Sequence, residues 1–511
     1  MSRARTIAWV AATMAITACG EEVRHLPGRQ GSVALRLHSP LDQDVFRDVA
    51  VLRLVARVPG ADPVIREGDA AQASFDLPVP LGPGRRVEIF GIDIAGRVVA
   101  SGASEEFDIE EGAPLSLDVL FARTGEFGRL MPLGQARAGH ALGALSDGRV
   151  LVFGGVGEHA EADPVPWRTP EIYDTRIGRG CDGATVVCPS YPVSDLRIGH
   201  TATAIQNDRV LIFGGEGPAG ILSPPALVFD ARAGQFREVA GGNPHRVLAR
   251  AGHAAALLPA NGDERERVLI AGGEVDAGGR RQLTGNGLVF DTQTEAFVLT
   301  NLALSHPRKE HTLTVVGGRA LVAGGSGATG LVAEVEVFEG SGFAAAVPVG
   351  EGARSGLRRP RVGHSAVPAL GGVLILGGSD GLLSLDDPEW FAGEGGARRG
   401  VFDVRVDGSG PDHRRRSGAL AGGLGEQAVL FAGGVESDGF GLAHLDRLEM
   451  FDLAQDGPAG SFIDGGSLPE NLAFASSVTL GNGMLLFCGG WTRDKDRILA
   501  SDEVWIYNPP R

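Results

Sequence analysis

Five histidines, His140, His200, His253, His311 and His364, stand at equivalent places in a repeating pattern. Imidazole is the commonest transition-metal ligand and general base, so metal or acid–base chemistry is the first function to weigh. One histidine per repeat is dispersed rather than gathered, and a structural hydrogen-bonding role fits that dispersal better. Arg137, Arg197, Arg250, Arg308 and Arg361 stand three residues before them. Acidic residues recur just after a series of Gly-Gly pairs: Glu158, Glu216, Glu274, Asp380, Glu436 and Asp494. Trp167, Trp390 and Trp491 lie in the same segments and could stack on sugars, anchor a protein or simply pack. Paired carboxylates such as Asp380 with Glu436 are what a glycosidase needs. Phosphate-loop motifs are absent, and no cofactor or metal set is spelled out.

The elements that must carry these residues are short strands. The chain has 511 residues, room for two or three domains, with 22% charged residues. Its 78 glycines are spread along the sequence, as tight turns between strands require. Alternating apolar runs such as Val150–Phe153 recur, and no long segment shows helical periodicity. A formal charge of −16 argues against a nucleic-acid partner, which would need a basic stripe to displace counterions from phosphate.

At the N-terminus, Arg3 and Arg5 precede an apolar run from Ile7 to Ile16, too short to span a bilayer and suited to a signal peptide. Ile16-Thr17-Ala18-Cys19 resembles the bacterial lipobox. That resemblance implies a signal peptide over 1–18, lipidation of Cys19, a tether over 19–30 and a lipid-anchored place in the cell envelope, at the outer membrane or cell surface. An ordinary secretory signal is the alternative. In an oxidising compartment Cys181 and Cys188, with six residues between them, are expected to form a local disulfide.

Residues 31–123 hold six alternating runs, Val33–Leu37, Val49–Val58, Phe75–Leu81, Val87–Ile94, Val98–Ala100 and Leu115–Phe121, and read as a small β-sandwich of immunoglobulin-like or transthyretin-like size. From 124 to 511 a repeat takes over. Gly-Gly pairs begin at 154, 214, 272, 324, 377, 433 and 489, roughly 56 residues apart. Upstream stands Arg-x-Gly-His, with the variant Arg308-Lys309-Glu310-His311 and degenerate forms at Arg416-Ser417-Gly418 and Asn471-Leu472-Ala473-Phe474. Downstream, a third strand ends in aromatic-Asp: Tyr173-Asp174, Phe229-Asp230, Phe290-Asp291, Phe402-Asp403 and Phe451-Asp452, with variants Phe338-Glu339 and Tyr507-Asn508. The fifth repeat accordingly reads as having its longest loop over 379–400, with Trp390 inside it.

Over about three quarters of the chain this pattern resembles the kelch repeat, so the expected fold is all-β, a seven-bladed kelch-type β-propeller preceded by the sandwich. The seventh repeat ends after its third strand, and Glu126–Leu133 is expected to complete that blade and remove its open edge. Galactose oxidase is the related enzyme to compare. Its copper site needs two tyrosines, a cysteine and two histidines. This chain has Tyr173, Tyr191 and Tyr507, and Cys488 replaces a hydrophobe before the last Gly-Gly.

In such a ring the loops after Gly-Gly and the arginine segments share one face. If Arg137, Arg197, Arg250, Arg308 and Arg361 line its mouth with Glu158, Glu216, Glu274, Asp380, Glu436 and Trp491, they form a polar pocket for a peptide, glycan or cation. The alternative is that arginines and acids pair with each other and with backbone as architecture. The functional expectation is a non-catalytic, membrane-anchored binding or scaffold protein for a protein or glycan. A carbohydrate-active enzyme is the rival.

Overall fold

The structure is a computed structural model. It describes residues 30–511 except 71–76, 113, 158–168, 185, 190–196, 218–221, 223–225, 240–248, 261–264, 299–301, 394–399, 407–413, 426–427, 440, 454–458 and 496. The signal peptide, Cys19 and the tether expected from the sequence lie outside the described residues, as do Glu158, Trp167 and Tyr191.

Seven sheets form the blades of a propeller, six of four strands and one of five. Blade 1 comprises Ala141–Ala144, Arg149–Phe153, Glu171–Asp174 and Arg179–Gly180. Blades 2, 3 and 4 begin at Ile198–Ile205, Ala254–Leu258 and Thr312–Val316, and blades 5, 6 and 7 at Val362–Ala369, Leu420–Leu424 and Ser476–Thr479. Each innermost strand touches the next in chain order, and that of blade 7 touches that of blade 1, so the ring closes. Crowding at the axis dictates small residues there. A methyl on Gly143 would lie 2.6 Å from Val210 of the next blade. The middles of the second strands are buried: Val150 to Phe153, Val268 to Ala271 and Val373 to Ile375 show no exposure. Each ends in its Gly-Gly pair at positive φ, 70° and 88° for Gly154 and Gly155, which only glycine adopts without strain.

Blade 7 takes its outer strand from the front of the chain. Phe127–Arg129 pairs antiparallel with Val504–Tyr507, Phe127 opposite Tyr507 and Arg129 opposite Trp505, as the missing strand of the last repeat requires. Blade 5 departs from the sequence reading. Its third strand is Glu389–Ala392, with Trp390 opposite Leu374, and Gly400–Asp403 is its fourth. The loop after its Gly-Gly is therefore far shorter than 379–400, and Trp390 lies in the blade, donating to Ala369 O at 3.3 Å. Phe402-Asp403 imitates the third-strand signature, but Glu389-Trp390-Phe391 supplies the buried glutamate that strand needs.

The N-terminal part packs a three-stranded sheet, Leu77–Pro80, Gln30–His38 and Leu115–Leu120, on a larger one built around Val51–Arg57, Gly82–Ile92 and Val98–Ala103. Val33, Leu77, Val79 and Val119 meet Leu52, Leu54, Val87 and Ile89 in the core between them. This sandwich docks where blades 7 and 1 meet, at the rim opposite the Gly-Gly turns. Leu120 and Ala122 join the cluster of Val150, Tyr173, Leu486 and Ile506. Asn508, fully buried, donates to Ala122 O at 2.7 Å and Ser101 O at 3.1 Å. An aspartate has no such donor, which accounts for Tyr507-Asn508 where other repeats read aromatic-Asp.

Candidate functional site

The face opposite the sandwich, here the upper face, carries the Gly-Gly turns and the segments that lead into the innermost strands. Arg137, Arg197, Arg250, Arg308, Arg361 and Arg416 start those segments, and all are buried, at 1% exposure or less. Each donates through Nη1 to the carbonyl of the first glycine of its own Gly-Gly pair: to Gly154, Gly214 and Gly272 at 2.9, 3.1 and 3.0 Å, and to Gly324, Gly377 and Gly433 at 3.2, 2.9 and 3.3 Å. Four of them also hold a glutamate at the head of the third strand. Arg308 meets Glu336 at 2.8 Å, Arg361 meets Glu389 at 2.6 Å, and Arg137–Glu171 and Arg416–Glu449 are shorter pairs.

The five arginines expected to line a ligand pocket therefore do not reach one. A guanidinium loses too much hydration on burial to lie there without compensating acceptors, and here backbone carbonyls and glutamates supply them. The architectural alternative holds, although the partner acids are Glu171, Glu336, Glu389 and Glu449 rather than the loop acids. Blades 2 and 3 have Leu227 and Leu288 at the glutamate place. In blade 3 Arg250 Nη1 turns to Asn286 O at 2.7 Å, and burial pulls this guanidinium down to about 10.

The histidines join neighbouring blades. A methyl built on the first glycine of a Gly-Gly pair would meet the next blade's imidazole Cε1: Gly154 meets His200 at 2.6 Å, Gly214 His253 at 2.5 Å, Gly272 His311 at 2.5 Å, Gly324 His364 at 2.4 Å, and Gly489 His140 at 2.5 Å across the closure. His253 Nε2 lies 3.0 Å from Thr201 Oγ1 and His364 Nε2 3.0 Å from Thr312 Oγ1, each threonine following the previous blade's histidine. Where that place is Ala141, His200 Nε2 turns instead to Phe153 O at 3.1 Å. Burial drives all five far below the ordinary imidazole range, to about 3 for His200, His311 and His364, so they are neutral near pH 7.

Among the described residues no group of three or more His, Cys, Asp or Glu side chains could hold a metal ion. Cys488 is buried beside His140 Nε2 at 3.5 Å, and burial pushes its thiol up to about 12, away from the reactive thiolate. Tyr173 donates to Met131 O at 2.6 Å and Tyr507 lies on Met450.

Four of the loop acids, exposed or half-buried, each have a cation beside them. Glu216 pairs with Arg281 at 2.6 Å, Glu274 with Lys309 at 3.0 Å, Asp380 with Arg359 at 3.0 Å and Glu436 with Arg414 at 3.4 Å. Backbone bonds from Leu383 and Leu382, with Arg359, hold Asp380 below the usual carboxylate range, the reverse of what a general acid needs. After the Gly-Gly pairs the chain forms short hairpins that stand on the rim as a collar. In blade 7, Trp491–Asp494 pairs with Arg497–Ala500 and with Leu472–Ala473, and Trp491 is half-buried. Cys181 and Cys188 form a disulfide with Cα atoms 5.0 Å apart, beside a cavity of about 390 Å³ lined by Gly134, Gln135, Thr169 and Pro170. The cavity's one carboxylate, Glu171, is already taken by Arg137 and Gly134 N.

Inside the collar lies a ring of seven positive-φ residues at the shaft mouth, in the glycine column of Arg-x-Gly-His: Gly139, Gly199, Gly252, Glu310, Gly363, Gly418 and Phe474. Amide N–H groups pass along it, Glu310 N to Gly252 O, Gly418 N to Gly363 O and Phe474 N to Gly418 O, each at 2.8 Å. The two residues with side chains, Glu310 at φ 57° and Phe474 at φ 51°, are exposed at this mouth. Neither was singled out from the sequence as a site. Aligning the degenerate repeats places both in the glycine column, and that was the available signal.

No family model matches the chain. Among curated proteins it is 28% identical over 254 residues to Putative adagio-like protein 2 of Oryza sativa subsp. japonica, covering 45% of this chain and 36% of that one. Adagio-like protein 1 of the same plant gives 28% over 254 residues, 45% of this chain and 37% of that protein. Adagio protein 3 of Arabidopsis thaliana gives 30% over 125 residues, 24% and 19% of the two chains. The chain thus spans little more than a third of the length of the first two relatives. Among solved structures, that of YjhT aligns with a TM-score of 0.44 at 16% identity, covering 60% of this chain and 94% of its own.

Proposed function

We propose that this chain is a binding or scaffold protein of a bacterial cell envelope, anchored through a lipid on Cys19, which engages a protein or glycan partner through the upper face of the propeller. One observation carries the reading. The sandwich occupies the rim at Asn508 and Ala122, and the opposite face keeps its hairpin collar uncovered by the rest of the described chain. Exposed apolar side chains gather there, Leu382 at 64%, Leu442 at 56% and Ile498 at 56%, as at interaction surfaces. The arginine lattice beneath suits a rigid platform, since its guanidiniums are spent on Gly-Gly carbonyls and glutamates. From Cys19 to the first strand at Gln30 is a reach of up to about 37 Å when extended, enough to clear a headgroup layer.

The anchor is tested by labelling cells with a radiolabelled fatty acid. Wild type is expected to carry label and fractionate with membranes, and Cys19→Ser to lose both; an unlabelled wild-type chain contradicts the anchor. The face is tested by photo-crosslinkers placed at Leu442 and, as control, at the exposed Ile65 of the sandwich. Adducts are expected at position 442 and lost on adding Ile498→Asp. Adducts confined to position 65 would place the partner elsewhere.

A further inference from the structure

The ring of positive-φ residues at the shaft mouth is the one place on the upper face where the repeat has replaced glycine at the expense of strain. Residues with a Cβ rarely adopt this conformation, and such outliers persist where the surroundings enforce them. The Phe474 ring lies against Gly418, where a methyl would approach it to 2.5 Å, so the ring covers its neighbour's glycine and still leaves 49% of its surface open. Beside that arc the collar exposes Leu382, Leu442 and Ile498 among polar side chains. Arg493 Nη1 donates to Leu442 O at 3.0 Å, Ser437 Oγ to Leu382 O at 2.9 Å, and Ile498 lies in the hairpin paired with Ala473.

The carboxylates of the collar on blades 2, 3, 5 and 6 are paired. Glu216, Glu274, Asp380, Asp386 and Glu436 each face a cation, at Arg281, Lys309, Arg359, Arg415 and Arg414 respectively. Glu310 makes no such ion pair among the described residues, and its neighbour Lys309 is committed to Glu274. The mouth thus offers the open Phe474 ring on blade 7 and, on blade 4, the Glu310 carboxylate, which makes no ion pair among the described residues.

We propose that the shaft mouth receives a segment of a partner polypeptide bearing an apolar side chain and a lysine or arginine, the first seated on Phe474 and the second paired with Glu310. This rests on the reading that the upper face is the binding face, and names the partner chemistry. A cation suits a carboxylate that has no ion-pair partner among the described residues on a chain of net charge −16, and a flat, open aromatic ring suits an apolar anchor. An acidic segment would meet Glu310 and the net charge with like sign.

The test uses the full chain as bait for a random-peptide phage library, followed by anisotropy titration of the selected peptides. Selected sequences are expected to combine an aromatic or aliphatic residue with lysine or arginine. Glu310→Gly and Phe474→Gly suit the backbone of the ring, so each is expected to keep or raise Tm while weakening binding about tenfold. Glu310→Gln should remove the salt dependence of affinity. Selected peptides without a cation, or affinities unchanged in both glycine variants, overturn the proposal, and so does a drop in Tm for Phe474→Gly, which would make the ring a packing residue. Peptides insensitive to both positions but lost with Leu442→Asp sink this proposal and leave the upper-face reading standing. A selection that yields no peptide dependent on any upper-face residue sinks both.

Discussion

Blades 1 to 5 and blades 6 and 7 solve the same packing problem with different chemistry. In the first five, a buried arginine ties the Gly-Gly turn and a buried histidine caps the preceding blade's glycine. In blades 6 and 7 the histidine places hold Ala419 and Ala475, and in blade 7 the arginine place holds Leu472. Apolar atoms take over: Phe431 Cζ would lie 2.8 Å from a methyl on Gly377, and Leu468 would lie 3.3 Å from one on Gly433. What the fold demands at these interfaces is a filled volume with satisfied backbone. Imidazole and guanidinium are one way to fill it, phenyl and isobutyl another. The difference is that the polar solution depends on pH and on every partner being present, whereas the apolar one depends only on shape.

The largest expected effect follows from the five neutral histidines. Unfolded, each titrates near its ordinary value of about 6.5, whereas folded it does not take a proton until about pH 3 for His200, His311 and His364. The unfolded state therefore binds more protons across that interval. Stability is fully present above about pH 6.5 and falls by about 1.4 kcal/mol per pH unit per histidine as the pH drops toward 3. Cooperative acid unfolding, followed by tryptophan fluorescence, is expected between about pH 4 and 5.5, and His364→Gln should flatten the slope by one proton. A pH-independent midpoint from 7 to 4 would mean the histidines are not buried as described.

Next is Arg308→Ala, which strands the buried Glu336 carboxylate and should cost about 3–5 kcal/mol in urea titration. Leu472→Ala, at the equivalent place in blade 7, leaves a cavity and should cost about 2–5 kcal/mol, with no dependence on pH. If both variants share the wild-type pH slope and lose equally little, the two solutions are not distinct. Thr312→Ala removes only the oxygen facing His364 Nε2, and about 1 kcal/mol is expected, detectable as a small fall in Tm. The smallest effect belongs to the collar. Glu274→Gln breaks a half-exposed pair with Lys309 and should change stability by no more than about 0.5 kcal/mol.

Much of this ring was legible in the chain. The spacing of Gly-Gly, the small residues after each histidine and the strand missing from the seventh repeat all follow from local rules about turns, crowding and open edges, and the pairing of Phe127 with Tyr507 bears out the last of these. The fifth blade was misread because Phe402-Asp403 and Glu389-Trp390-Phe391 both satisfy a two-residue periodicity. Only the partner strand, with Leu374 opposite Trp390, separates them. The arginines were recognisable as a repeated feature, but whether they point to the mouth or into the blade is not a property of spacing.

The repeat, its number and its all-β character are written in the residues themselves, because glycine turns and alternating strands act over a few positions along the chain. Which charged groups are spent inside the blades and which remain at the surface was decided by tertiary structure. Arg361 and Glu389 are 28 residues apart and meet only because the second and third strands run side by side. Glu310 and Phe474 share one rim only because the seventh blade closes on the first.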